Sequence, residues 1–135
     1  MGVAMRGTYT GGLRMRLTHG PSGTEIATAA PVDNEGDGSS FSPTDLLAVS
    51  LGACMVTTMA IVARREGIPF EGAAFRLEKE MAGDPRRVAA VPVVVTLPAA
   101  LTEAQRGRLE RVGLACPVAR SLHPDVRLET RFEYA

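Results

Sequence analysis

From Leu46 to Ala63 the chain carries no charged residue, and this run is bracketed by signals that start and stop a helix. On the N-terminal side stands Ser42-Pro43-Thr44-Asp45. Ser42 suits the N-cap, Pro43 the first helical position, and Asp45 completes a capping-box pattern. On the C-terminal side Arg64 and Arg65 suit the negative end of the helix dipole, Gly67 the left-handed position after the helix, and Pro69 ends it. The run is about as long as the shortest spanning helices, roughly 17 residues. Ser50, Gly52, Thr57 and Thr58 dilute its hydrophobicity, and the flanking sequence alternates as soluble strands do, so a buried soluble helix is expected and a membrane is not.

The apolar residues of this helix, among them Leu46, Leu47, Val49, Leu51, Met55, Met59 and Ile61, fall on every side of it. That is the pattern of a helix enclosed all round. Few other elements are available to enclose it, which predicts a homodimer whose second subunit covers one side.

Elsewhere strands dominate. Val3 to Leu17 divides at Gly11-Gly12 as a hairpin does, and Thr24 to Ala29 adds a third strand. Asn34 to Ser40 is a turn-rich loop, expected to be mobile. Phe75, Leu77, Lys79 and Met81 alternate with charged residues, as do Val126, Leu128, Thr130, Phe132 and Tyr134. Val88 to Leu97 is a more apolar strand whose Pro92, lacking a donor, predicts an edge position or a bulge. Thr102-Glu103-Ala104-Gln105 has the form of a capping box and should open a second helix running to about Val112.

A chain of 135 residues suits a single domain over 1–135. Its 15 basic and 15 acidic side chains balance without a basic run, which argues against nucleic acid and anionic membranes as partners. The first residues do not pair a basic stretch with an apolar one, so a cytoplasmic location is expected. In that reducing setting two cysteines read as free thiols, a transient redox pair or metal ligands. With only His19 and His123 to add, and no finger-like spacing, metal is disfavoured.

Cys54 lies mid-helix beside Gly52, Ala53, Thr57 and Thr58. It can be a small core residue, or a reactive thiol if another element supplies a positive charge or hydrogen-bond donors. Cys116-Pro117 places a cysteine where an N-cap stands, and a helix N-terminus stabilises a thiolate. The alternative is a small residue at a helix–helix turn. Spacing alone does not say whether the two meet.

The run Ser42-Pro43-Thr44-Asp45-Leu46-Leu47-Ala48-Val49-Ser50-Leu51-Gly52-Ala53-Cys54 resembles the OsmC/Ohr superfamily of organic hydroperoxide reductases and osmotically inducible proteins. The likeness continues at Gly67-Ile68 and at Ala115-Cys116-Pro117-Val118, where the second cysteine of that family stands. It implies an α+β fold with N-terminal strands and a long central cysteine-bearing helix, followed by further strands and a second helix, in an intertwined homodimer.

It also implies a peroxiredoxin-like thiol peroxidase needing no cofactor. Cys54 would be oxidised by an organic hydroperoxide or hydrogen peroxide, Cys116 would resolve the sulfenic acid, and a dithiol reductant, lipoylated protein in some relatives, would restart the cycle. The arginine that such proteins aim at the thiolate corresponds to Arg14, with Arg16 on the same strand as the alternative. Their acidic partner corresponds to Asp45, since position 44, ten before Cys54, is Thr44 and not glutamate. On one continuous helix Asp45 would lie about half a turn from Cys54 and about 13 Å along the axis, so either the helix breaks near its start or Asp45 is the capping acid. Thr44 also favours a second reading, a noncatalytic member binding a small apolar ligand or partner in the dimer groove.

Overall fold

The computed structural model describes all residues, 1–135, as a mixed α+β chain. Two compact units are distinguished, Met1–Leu46 and Leu47–Ala135.

The first unit is a three-stranded antiparallel sheet in the order β1 (Met5–Gly11), β2 (Arg14–His19), β3 (Glu25–Ala29). The β1–β2 turn places Gly11, Gly12 and Leu13 at positive φ, which two glycines tolerate without cost. The Leu13 N–H donates to the Tyr9 hydroxyl across it. The register opposes Tyr9 to Met15 and Leu17 to Ile26, so their side chains share one apolar face with Met5. Most of that face is open: Met5 is 71%, Tyr9 61% and Ile26 50% exposed. The loop expected to be mobile is tied down. A 3-10 turn, Val32–Asn34, is followed by N–H groups of Gly36 and Gly38 donating to the carbonyls of Pro31 and Ala30.

Helix α1 runs unbroken from Pro43 to Glu66. Its start is the predicted capping box: the Asp45 N–H donates to Ser42 Oγ at 3.0 Å and the Ser42 N–H to the Asp45 carboxylate at 2.9 Å. Its end is a Schellman turn, Gly67 at φ +66 with the Ile68 N–H donating to the Ala63 carbonyl.

In the second unit strand β6 (Arg87–Leu97) is central. One edge pairs antiparallel with β4 (Ala74–Leu77) and β5 (Glu80–Ala82), and the other pairs parallel with β7 (Arg127–Tyr134). The alternating run from Phe75 to Met81 is not one strand but two, and the strand containing Pro92 is central, so that of the expected edge or bulge it is irregular pairing that is found. Both follow from Pro92: its carbonyl accepts the Glu78 N–H, so its missing donor faces the gap where β4 stops and β5 begins. The register shift beside Glu80 absorbs the irregularity.

Val91, Val93, Val95 and Leu97 alternate inward from β6 and pack with Ala48, Leu51, Met55, Met59 and Ala63 of α1. Burying side chains of this kind stabilises by about 1.5–3 kcal/mol each. Leu109 of α2 (Glu103–Leu114) closes the core, behind the Thr102/Gln105 capping box. The buried residues of α1 form a stripe rather than the full circumference, since one chain supplies neighbours on one side only. By length and composition α1 could also cross a membrane; here its buried stripe lies on a sheet. Two glycines permit close packing. A Cβ on Gly52 would come within 2.3 Å of the Phe75 ring, and one on Gly113 within 2.8 Å of Met59 Sδ.

The chain end is pinned by Tyr134, whose hydroxyl donates to Glu110. The Arg106 guanidinium lies 3.9 Å from the Tyr134 ring centre.

Candidate functional site

Both cysteines belong to the second unit, and both are free thiols. Cys54 faces the side of α1 next to the buried stripe and is half-buried. Its Sγ lies 3.9 Å from the hydroxyl of Thr58, one turn further along. Once Cys54 is a thiolate, only the hydroxyl of this pair can donate. Thr58 was legible as a contact from its spacing of four, the signal that sequence reasoning left unused.

Cys116 is fully buried, with 0% exposure, at the N-cap of the short helix α3 (Pro117–Ser121). Its sulfur accepts the Ala119 N–H at 3.5 Å, and its own N–H donates to the Gly113 carbonyl at the end of α2. Both thiols pack at the same core, Cys54 near enough to Cys116 to raise its pKa. Residues far apart in sequence are brought together because α1 and the α2–α3 junction pack into the same core.

The helix N-terminus does not lower the pKa of Cys116, contrary to the expectation that it would stabilise a thiolate there. Burial pushes its pKa up, the Ala119 N–H pulls it back in part, and the Cys54 thiol beside it adds to the rise. Desolvation wins because α3 is a single turn and the sulfur has no access to water. The arrangement therefore joins a reachable thiol to a sequestered one that stays protonated at neutral pH.

The other two predicted site residues are engaged within the first unit. The Arg14 guanidinium donates to the Asp37 carboxylate at 2.5 Å. Asp37 is held down to about 2, first by the Ser39 hydroxyl and then by Arg14. Arg16 lies on the same face of β2 and pairs with Glu25 at 3.6 Å. Asp45 is the capping acid of α1, and the break near the helix start that would have re-aimed it is absent. Asp37 was not singled out in the sequence, because a charged residue in a turn-rich loop carries no signal of its partner.

The chain is thus a mixed α+β protein with two free thiols, one half-buried on the long helix and one fully buried. The family model described as OsmC-like protein matches residues 36–131, and the chain belongs to the OsmC-like family. A crystal structure from Psychrobacter arcticus 273-4, provisionally described as an osmotic stress induced and detoxification response protein, is 43% identical, with a TM-score of 0.91 over 96% of this chain and 94% of that one. Two organic hydroperoxide resistance proteins share the fold. That from Legionella pneumophila has a TM-score of 0.74 at 17% identity, covering 98% of this chain and 97% of its own. That from Elizabethkingia anophelis has 0.79 at 14%, covering 100% and 97%. No match was found among curated proteins.

Proposed function

We propose that this chain is a thiol-dependent peroxidase in which Cys54 reduces the peroxide and Cys116 resolves the product. The observation that carries the reading is that the two free thiols of one subunit pack at a single core, with Cys54 near enough to raise the Cys116 pKa. The Cys54 thiolate attacks the O–O bond: an S–O bond forms, the O–O bond breaks, and the departing oxygen takes a proton to leave as alcohol or water. The sulfenic acid then condenses with the Cys116 thiol to give a disulfide and water. A dithiol reductant returns both sulfurs to thiols by exchange. The unequal exposure fits these roles, since a peroxide reaches Cys54 while buried Cys116 is spared direct oxidation.

The hydroperoxide resistance proteins of the same fold favour a peroxide with an organic tail. Arg14 is the proposed cation for the thiolate, assigned from the resemblance; Asp45 would serve as its acidic partner only by giving up its capping bond to Ser42.

The working form is proposed to be a homodimer. Leu47 and Ile61 lie one heptad to either side of Cys54 on the same stripe of α1 and are 39% and 47% exposed. The apolar sheet face of the first unit is similarly open. A second copy is the occupant that a two-fold interface supplies at no further cost in sequence.

The test is a thiol count on reduced protein before and after one equivalent of cumene hydroperoxide, and again with hydrogen peroxide. Rapid loss of both thiols, reversed by a dithiol and abolished in Cys54→Ser, is expected. Cys116→Ser should lose a single thiol, as a trappable sulfenic acid. If neither thiol reacts faster than free cysteine, the peroxidase reading is wrong and the noncatalytic binding reading replaces it.

A further inference from the structure

We infer that Gly113 is a positioning residue for disulfide closure, acting by letting the end of α2 settle against Met59 of α1. The inference rests on the dithiol reading above.

Gly113 is buried, and its missing side chain is replaced by that of Met59, which is itself fully buried. A Cβ there would stand 2.8 Å from Met59 Sδ and 3.2 Å from Cγ, both inside van der Waals contact. The carbonyl of this same glycine accepts the Cys116 N–H. The approach of α2 to α1 is therefore transmitted through one hydrogen bond to the backbone of the resolving cysteine. Met59 in turn sits on the helix that carries Cys54. Adding a methyl group at 113 forces either a new Met59 rotamer in a closed core or a retreat of the α2 end, and the retreat carries Cys116 away from Cys54.

Closure is the step sensitive to that displacement. The S–O bond of the Cys54 sulfenic acid breaks, the S–S bond to Cys116 forms, and the hydroxyl leaves as water with the Cys116 proton. The sulfurs must be in line and in contact, and misplacement by an ångström costs such a step up to about 100-fold. The preceding attack on peroxide involves Cys54 alone and is not gated by position 113.

Gly113 lies in helical backbone without positive φ, so alanine introduces no backbone strain and raises helix propensity. The variant should fold. Gly107→Ala is the matched control, because a Cβ at 107 meets only the Arg111 guanidinium, at 3.3 Å.

The experiment separates the two steps in Gly113→Ala, Gly107→Ala and wild type. Sulfenic acid formation is followed by dimedone trapping after mixing with cumene hydroperoxide, and closure by mass spectrometry of quenched, alkylated samples. Gly113→Ala is expected to form sulfenic acid at the wild-type rate but to close about tenfold more slowly, accumulating Cys54 sulfinic acid under excess peroxide. Gly107→Ala should match wild type. Met59→Ala, which removes all three atoms that the new Cβ would meet, should restore closure in the Gly113→Ala background. Wild-type closure rates in Gly113→Ala, or equal slowing of both steps, overturn the assignment of Gly113. Absence of any Cys54–Cys116 disulfide in wild type would instead overturn the dithiol reading itself.

Discussion

The thiol of Cys116 is completely buried at the N-cap of α3, in the same core that the half-buried Cys54 packs against from α1. Burial raises its pKa above the ordinary thiol value, with Cys54 adding to the rise. Two pH dependences follow. Closure of the disulfide should keep accelerating above about pH 8.5, where an ordinary thiol is half ionised, because the Cys116 thiolate is still scarce there. In the reduced protein the folded state holds this proton more tightly than the unfolded one. The stabilising contribution is full below about pH 8.5 and is lost as pH rises through the elevated folded value. Urea midpoints of the reduced protein between pH 8 and 10 should therefore fall more steeply in wild type than in Cys116→Ala.

Gly52→Ala should destabilise the fold although alanine is the better helix former. The added methyl would meet the Phe75 ring at 2.3 to 2.9 Å, and an aromatic ring cannot bend away as a methionine can. Overpacking of this kind costs about 1–3 kcal/mol, and the helix-propensity gain returns about 1 kcal/mol. A net loss of up to roughly 2 kcal/mol is expected from urea denaturation. Gly67→Ala, where no atom is close but φ is +66, should lose stability through backbone strain alone.

Ser42→Ala removes the hydroxyl that accepts the Asp45 N–H and should cost about 1 kcal/mol of stability. If Asp45 acts only as the other half of the capping box, Asp45→Asn should show a comparable stability loss and leave the peroxide rate of the folded protein unchanged. A large rate loss in Asp45→Asn at preserved stability would instead support its proposed catalytic role.

Asp37 should titrate near 2, read from its carboxyl carbon shift by NMR. Ser39→Ala and Arg14→Ala should each move that midpoint upward, Ser39→Ala by more, since its hydroxyl is the larger cause. Because the folded value lies below the ordinary one, the loop's ties are present above about pH 4 and are lost as pH falls toward 2.

What the sequence determined by itself was what depends on neighbours along the chain. Helix α1 has the predicted start at Ser42 and stop at Gly67, because caps are hydrogen bonds within a few residues and their donors and acceptors can be read in order. The second capping box, at Thr102, and the third N-terminal strand are legible for the same reason. So was membership of the family, carried by the run ending at Cys54. Tertiary structure alone decided the rest. Whether Cys54 and Cys116 meet depends on how α1 and the α2–α3 junction share a core, and no spacing encodes that. Whether the helix end or desolvation rules the Cys116 thiol depends on how deeply it is buried. Pro92 stands in the central strand because the one edge its missing donor faces is interrupted opposite it, a fact that belongs to the β4–β5 junction. Arg14 takes Asp37 as its partner because the loop after β3 folds back onto β2. Local hydrogen bonds are written in consecutive residues, whereas burial and long-range pairing exist only after the chain has closed on itself.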